Sequence, residues 1–137
     1  MKKKILVFLP VLIILLLYIL PKGGDVRIAR REIGESTHFT TEDIESAMQI
    51  AQQHFDRHFE GCTLLTLTYE EVFSDRLASG WAANYDAEEA IVLYSSFWVD
   101  KKGGDGSFNP SSLYTKWQWI LTRNNGEKWK LQTWGYG

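Results

Sequence analysis

From Ile44 onward, apolar residues recur at spacings of three and four: Ile44, Ala47, Met48, Ala51, Phe55 and Phe59. A single stripe at that period predicts an amphipathic helix of about 18 residues. Its start is signalled by Thr40 as N-cap with Asp43 at the third helical position, a variant of the capping box, and by the staple pair Phe39 and Ile44. Glu42 and Asp43 suit the positive end of the helix dipole, and Gly61 is a natural stop.

Beyond Gly61 the period changes. Cys62 to Tyr69 alternates and is rich in Thr and Leu, which predicts a strand with Leu65, Leu67 and Tyr69 on one face. Leu77, Trp81 and Tyr85 recur every four residues, which suggests a short helix between Glu70 and Asp86, although Gly80 interrupts it. Ala90 to Asp100 is apolar on both faces, as a central strand would be. Leu113 to Arg123 and Glu127 to Trp134 are two more strands around Asn124-Asn125-Gly126. A two-residue turn there would scatter the apolar residues of both strands. A three-residue turn with Gly126 in the left-handed region puts Leu121 opposite Trp129, Trp119 opposite Leu131 and Arg123 opposite Glu127. It also gathers Trp117, Trp119, Leu121, Trp129 and Leu131 on one face.

Together these elements predict an α+β fold: one long helix packed on an antiparallel sheet of about four strands, a cystatin-like roll spanning 39–137. The nuclear-transport-factor-like rolls share this architecture, and the analogy carries no function by itself.

The N-terminus follows another pattern. Lys2, Lys3 and Lys4 precede Ile5 to Leu20, sixteen residues without a charge. As a helix this run would reach roughly 24 Å, a little short of a hydrocarbon core of about 30 Å. A basic start and an apolar run read as a signal anchor or signal peptide over 1–21, followed by a linker over 22–38 that pairs loosely with the domain through Val26 and Ile28. No Ala-x-Ala-like site follows, so the reading is an uncleaved single-pass anchor with the domain outside the cytoplasm. The alternative is secretion after cleavage. Lys22, Arg27, Arg30 and Arg31 rival the leading lysines, so charge does not fix the orientation alone.

Composition narrows the partners. The chain has 137 residues, 45% of them hydrophobic and 14% aromatic, enough for one domain with a true core. Beyond the three leading lysines, twelve basic residues face seventeen acidic ones, a net charge of −5. Nucleic acid is thereby disfavoured, since phosphate binding needs a basic surface. The single Cys62 excludes an internal disulfide.

Ala90-Ile-Val-Leu, Gly103-Gly-Asp-Gly-Ser-Phe-Asn-Pro110, Trp117-Gln-Trp-Ile-Leu121 and Trp134-Gly-Tyr-Gly137 lie in a segment, from about Tyr69 to the C-terminus, that covers about half the chain. This segment resembles a family of uncharacterised secreted or lipid-anchored proteins of Gram-positive bacteria. The resemblance implies a cystatin-like roll and brings no catalytic residues. No cysteine ends the apolar run here, which departs from the lipid-anchored members.

Three sets of residues are candidates for chemistry. Asp100, Asp105, Ser107 and Asn109 surround three glycines. Such an oxygen-rich loop could bind calcium, but two carboxylates without EF-hand spacing equally describe a loop bonded to its own backbone. His54 and His58, four apart on the helix, and Cys62 four later form a conceivable metal set; no glutamate follows His54 to complete a zinc-protease motif. Trp98, Trp134 and Tyr136 are the aromatics left for the surface, where they could stack on sugar rings, anchor a protein or peptide, or simply cap the sheet. No cofactor motif appears. The reading is a non-catalytic, membrane-tethered binding domain for a protein, peptide or cell-wall ligand. The alternative is a small roll-type enzyme with a pocket between helix and sheet.

Overall fold

The computed structural model describes residues 11–13 and 23–136. Its elements run β1 (Arg30–Ile33), α1 (Thr41–His58), β2 (Cys62–Tyr69), α2 (Glu71–Asn84), β3 (Glu89–Val99), β4 (Ser112–Arg123) and β5 (Lys130–Gly135). The strands form one sheet in the order β1-β2-β3-β4-β5, parallel between β1 and β2 and antiparallel elsewhere. The α+β class holds; the sheet is mixed and five-stranded, with a second helix, where an antiparallel sheet of about four strands was expected.

Helix α1 forms for the reasons its sequence carries. The Thr40 hydroxyl accepts from Asp43 N at 3.1 Å, and Asp43 Oδ2 accepts from Thr40 N at 3.3 Å, which closes the capping box. Ile44, Ala47, Met48, Ala51, Phe55 and Phe59 are all buried against one face of the sheet. There they meet Leu64, Leu67, Phe97, Trp119 and Leu121. A bulge between Leu64 and Thr66 puts Leu64, not Leu65, into this core. Trp119 carries a polar atom inside, and its Nε1 donates to the buried Ser95 hydroxyl at 2.9 Å.

From Gly23 on, the stretch expected to be a linker over 22–38 belongs to the fold, and residue 22 lies outside the described residues. Arg30 to Ile33 pair with Thr66 to Tyr69, and Asp25 bridges Thr63 upstream. Gly24 N donates to Phe55 O at 3.2 Å, and Asp25 N to Cys62 O at 2.9 Å. Only glycine allows this approach: a Cβ on Gly23 would sit 1.5 Å from Asp56 O, and one on Gly24 would sit 2.6 Å from the Phe55 ring. Val26 packs against the core, whereas Ile28 is exposed. Backbone pairing, not side-chain periodicity, creates this strand, so a stretch rich in charge still forms it.

Helix α2 runs unbroken through Gly80, where a Cβ would meet nothing within 4 Å. The residues it buries are small, Ser74 and Ala82, while Leu77 and Trp81 are half-buried and Tyr85 is exposed. Ser74 reaches β3, its hydroxyl accepting from Val92 N at 3.0 Å. Pairing between β2 and β3 ends at Thr68 and Tyr94, so this hydroxyl satisfies a strand N–H on the side of β3 that β2 has left.

The last hairpin keeps the left-handed Gly126 but neither the three-residue turn nor the expected register, since its ladder begins only at Thr122 and Lys130. Glu127 N donates to Asn124 O at 3.0 Å, with Gly126 at φ 78. Leu121 then pairs with Leu131, and a bulge brings Trp119 opposite Trp134. The shift is two residues at Leu121 and three at Trp119, the odd one taken up by the bulge, and Trp117, Trp119, Leu121, Trp129 and Leu131 all still reach the core. The cause is Trp129, which leaves the ladder so that its Nε1 can donate to Asp43 O at 3.0 Å. Arg123 lies over its ring and turns to Asp43 and Glu89 instead of Glu127.

Among the described residues no helix is long and apolar enough to cross a membrane. Apart from 11–13, which are helical, the run Ile5 to Leu20 lies outside the described residues.

Candidate functional site

The glycine loop between β3 and β4 is tied to itself and to the end of α1. Asp100 N donates to Gly61 O at 2.9 Å. Asp100 Oδ1 accepts from Lys102 N at 3.1 Å and Gly104 N at 3.0 Å. Asp105 Oδ1 accepts from both the backbone N and the hydroxyl of Ser107, and these bonds hold the Asp105 carboxyl below the ordinary carboxylate range. Asn109 N donates to the Tyr114 hydroxyl at 3.0 Å. Phe108 pins the loop from inside, within ring contact of Phe59, Phe97, Tyr114 and Trp117. Asp100 and Asp105 therefore spend oxygens on nearby N–H groups. An ion there would have to compete with them.

His54, His58 and Cys62 do not come together as a metal set. The two imidazoles are 4.5 Å apart, but α1 ends at His58, so Cys62 is not the next step along its face. The Cys62 thiol instead donates to Glu60 O at 3.7 Å. Burial, then the charges of Asp100 and Asp105, push it up to about 12. His54 lies against Trp134 at 4.0 Å, with Nε2 buried and without a hydrogen-bond partner. Burial, then the neighbouring His58, holds its pKa below the ordinary histidine value.

The three aromatics expected at the surface, Trp98, Trp134 and Tyr136, divide between the two faces of the sheet. Trp134 is 42% and Tyr136 59% exposed, both beside the α1 face. Trp134 stacks on Trp119 at 6.4 Å and Tyr136 on Tyr114 at 5.8 Å, with Trp117 5.3 Å from Tyr136. The Trp117 Nε1 is buried and has no hydrogen-bond partner. These rings make an aromatic shelf along β5, joined to the glycine loop through Tyr114. Trp98, 45% exposed between buried Phe97 and Val99, points to the other face and pairs with Leu113.

One further cluster was not legible in the sequence. His38 Nδ1 lies 3.3 Å from Glu71 Oε1 and 3.2 Å from Asp75 Oδ2. Glu71 Oε1 also accepts from Thr37 N at 2.7 Å and Thr37 Oγ1 at 2.8 Å, and the backbone bond is the largest cause of its lowered pKa. The three could bind a divalent cation or form a histidine–carboxylate ion pair. The i, i+4 spacing of Glu71 and Asp75 was visible, but His38 sat in a presumed linker.

Open grooves lie on the surface of the described residues, and one of about 650 Å³ runs between α1, Arg31 and the Gly126–Trp129 corner. Its lining mixes Glu42, Glu45 and Glu127 with Arg31, Arg123 and Lys128. No family model matches the chain, and neither a curated protein nor a solved structure does.

Proposed function

We propose that this chain is a membrane-tethered, extracytoplasmic binding domain of the cystatin-like roll type, related to the secreted Gram-positive proteins its C-terminal half resembles. Ile5 to Leu20 is its tether, and the shelf of Trp134 and Tyr136 is its binding surface. The ligand class is cell-wall glycan, whose sugar rings stack on flat aromatic faces.

The observation that carries this reading is the exposed pair Trp134 and Tyr136, each braced from behind by another ring. Braced rings lose little conformational freedom on binding, which favours affinity. The alternative, an enzyme with a pocket between helix and sheet, needs space that Phe55, Phe97 and Trp119 occupy.

Co-sedimentation of the full chain with purified cell-wall sacculi tests the proposal. Trp134→Ala with Tyr136→Ala is expected to weaken it roughly tenfold, about 1.4 kcal/mol. Equal sedimentation of variant and wild type would remove the shelf from the binding surface. Binding to a protein or peptide but not to sacculi would replace the ligand class.

A further inference from the structure

Because the fold takes in the chain from Gly23 onward, almost no sequence separates the apolar run from the domain. Leu20 is three residues before Gly23, which spans at most about 10 Å. From Gly24 the backbone is already bonded to α1, and Asp25 bridges Thr63. Thr63 pairs with Trp98, and Trp98 with Leu113. Asp25, Thr63, Trp98 and Leu113 thus form one row across the sheet. With strands about 4.8 Å apart, Trp98 is two strands, about 10 Å, from the point where the tether meets the fold.

Directly opposed residues share a face, so Trp98 and Leu113 lie side by side away from the core. Leu113 is 55% exposed, and Lys101 and Lys102 are exposed in the turn that follows. Two of the carboxylates near this row are engaged, Asp25 with Arg27 and Asp100 with Lys102 N and Gly104 N, while Asp56 lines the groove beside Gly23 and Asp25.

We propose that this end of the sheet rests on the bilayer that the tether enters. Trp98 and Leu113 sit at the boundary between headgroups and acyl chains, and Lys101 and Lys102 face the headgroup phosphates. The proposal rests on the reading of Ile5 to Leu20 as an anchor. Tryptophan favours this boundary because its ring is apolar and its N–H is wet. Two apolar side chains bind a membrane weakly alone, but the short tether makes their contact intramolecular. Trp98 is thereby separated from the ligand-binding aromatics Trp134 and Tyr136.

The Cys62 thiol is buried and holds its proton to about pH 12, which leaves an introduced cysteine as the reactive one. Full-length Leu113→Cys and Asn125→Cys, each carrying an environment-sensitive fluorophore, are reconstituted into phosphatidylglycerol-containing vesicles with a lipid-borne quencher just below the headgroups. Asn125 is in the turn beyond the far end of β4, so its label is the control. Quenching at position 113 is expected to exceed that at 125 by about threefold or more, as contact with the boundary requires. In unlabelled chains, brominated lipid should quench wild type more than Trp98→Phe. Equal quenching at 113 and 125, with the chain floating with the vesicles, overturns the inference and leaves the anchor standing. A chain that does not float with the vesicles overturns the anchor, and the inference with it.

Discussion

Arg123 and Asp43, eighty positions apart in sequence, meet with Nη1 2.9 Å from Oδ1. The Arg123 guanidinium also bonds Glu89 and lies 4.0 Å from the centre of the Trp129 ring, so one side chain joins the start of α1, the start of β3 and the hairpin corner. Its side chain is only 16% exposed. Arg123→Met keeps the stem and removes the charge. It is expected to cost about 1–2 kcal/mol in urea denaturation, because two carboxylates lose a partner.

The same pair sets an acid limit on stability. Bonds from Arg123 are the largest cause holding the Asp43 carboxyl below its ordinary value. A lowered folded value means that the unfolded chain takes up the proton first as pH falls. The stabilisation is complete above the ordinary carboxylate pKa of about 4 and is lost as pH falls through the folded value. The stability gap between wild type and Asp43→Asn should be constant from pH 7 to about 5 and should close only below about 4. A gap that closes near neutral pH would show that another group governs it.

Ser95→Ala should cost about 1–3 kcal/mol, far more than an exposed serine would, because the fully buried Trp119 N–H loses its acceptor. Ser95→Thr retains the hydroxyl and tests whether the bond or the space matters. A melting curve for Ser95→Ala that matches wild type would mean that Trp119 finds another partner.

Two glycines with similar positive φ separate strain from crowding. Gly104 has φ 65 and Gly126 φ 78, but a Cβ at Gly104 would meet Glu60 O at 2.8 Å and one at Gly126 would meet nothing within 4 Å. Gly126→Ala should cost about 1 kcal/mol, the price of the left-handed conformation alone. Gly104→Ala should cost distinctly more, because a backbone carbonyl must move. Equal unfolding midpoints for the two variants would show that the loop yields freely.

Calcium at a few millimolar should leave the melting temperature of the full chain unchanged, since a ligand well above its Kd must stabilise the state it binds. Asp100 and Asp105 already accept from the loop's own N–H groups. A rise that Asp105→Asn abolishes would reinstate the loop as a cation site.

Legibility in the sequence followed the size of the side chains that make each contact. The α1 stripe, the central strand β3 and the core face of the last hairpin were readable because Phe55, Phe97 and Trp119 are large and periodic. Strand β1 was not, because Arg30-Arg31-Glu32-Ile33 joins the sheet through its backbone. The buried face of α2 was misread because Ser74 and Ala82 carry little hydropathy, while the more conspicuous Leu77 and Trp81 lie at its margin. The hairpin register slipped because the Asp43 carbonyl, far away in sequence, draws Trp129 out of line. For the site, the self-bonded loop was one of two open readings, and the split of Trp98 from Trp134 and Tyr136 needed the bulges that only the pairing reveals.

The seating of Gly23 and Gly24 against Asp56 and Phe55 also bears on how the domain could be shed. A protease needs several residues in an open, extended form. Here the backbone from Gly24 is held by Phe55 O, Cys62 O and Leu64 N. Cutting within that stretch requires the last turn of α1 and the first residues of β2 to let go. Cleavage there is therefore tied to unfolding, and the folded domain guards this stretch of its own backbone.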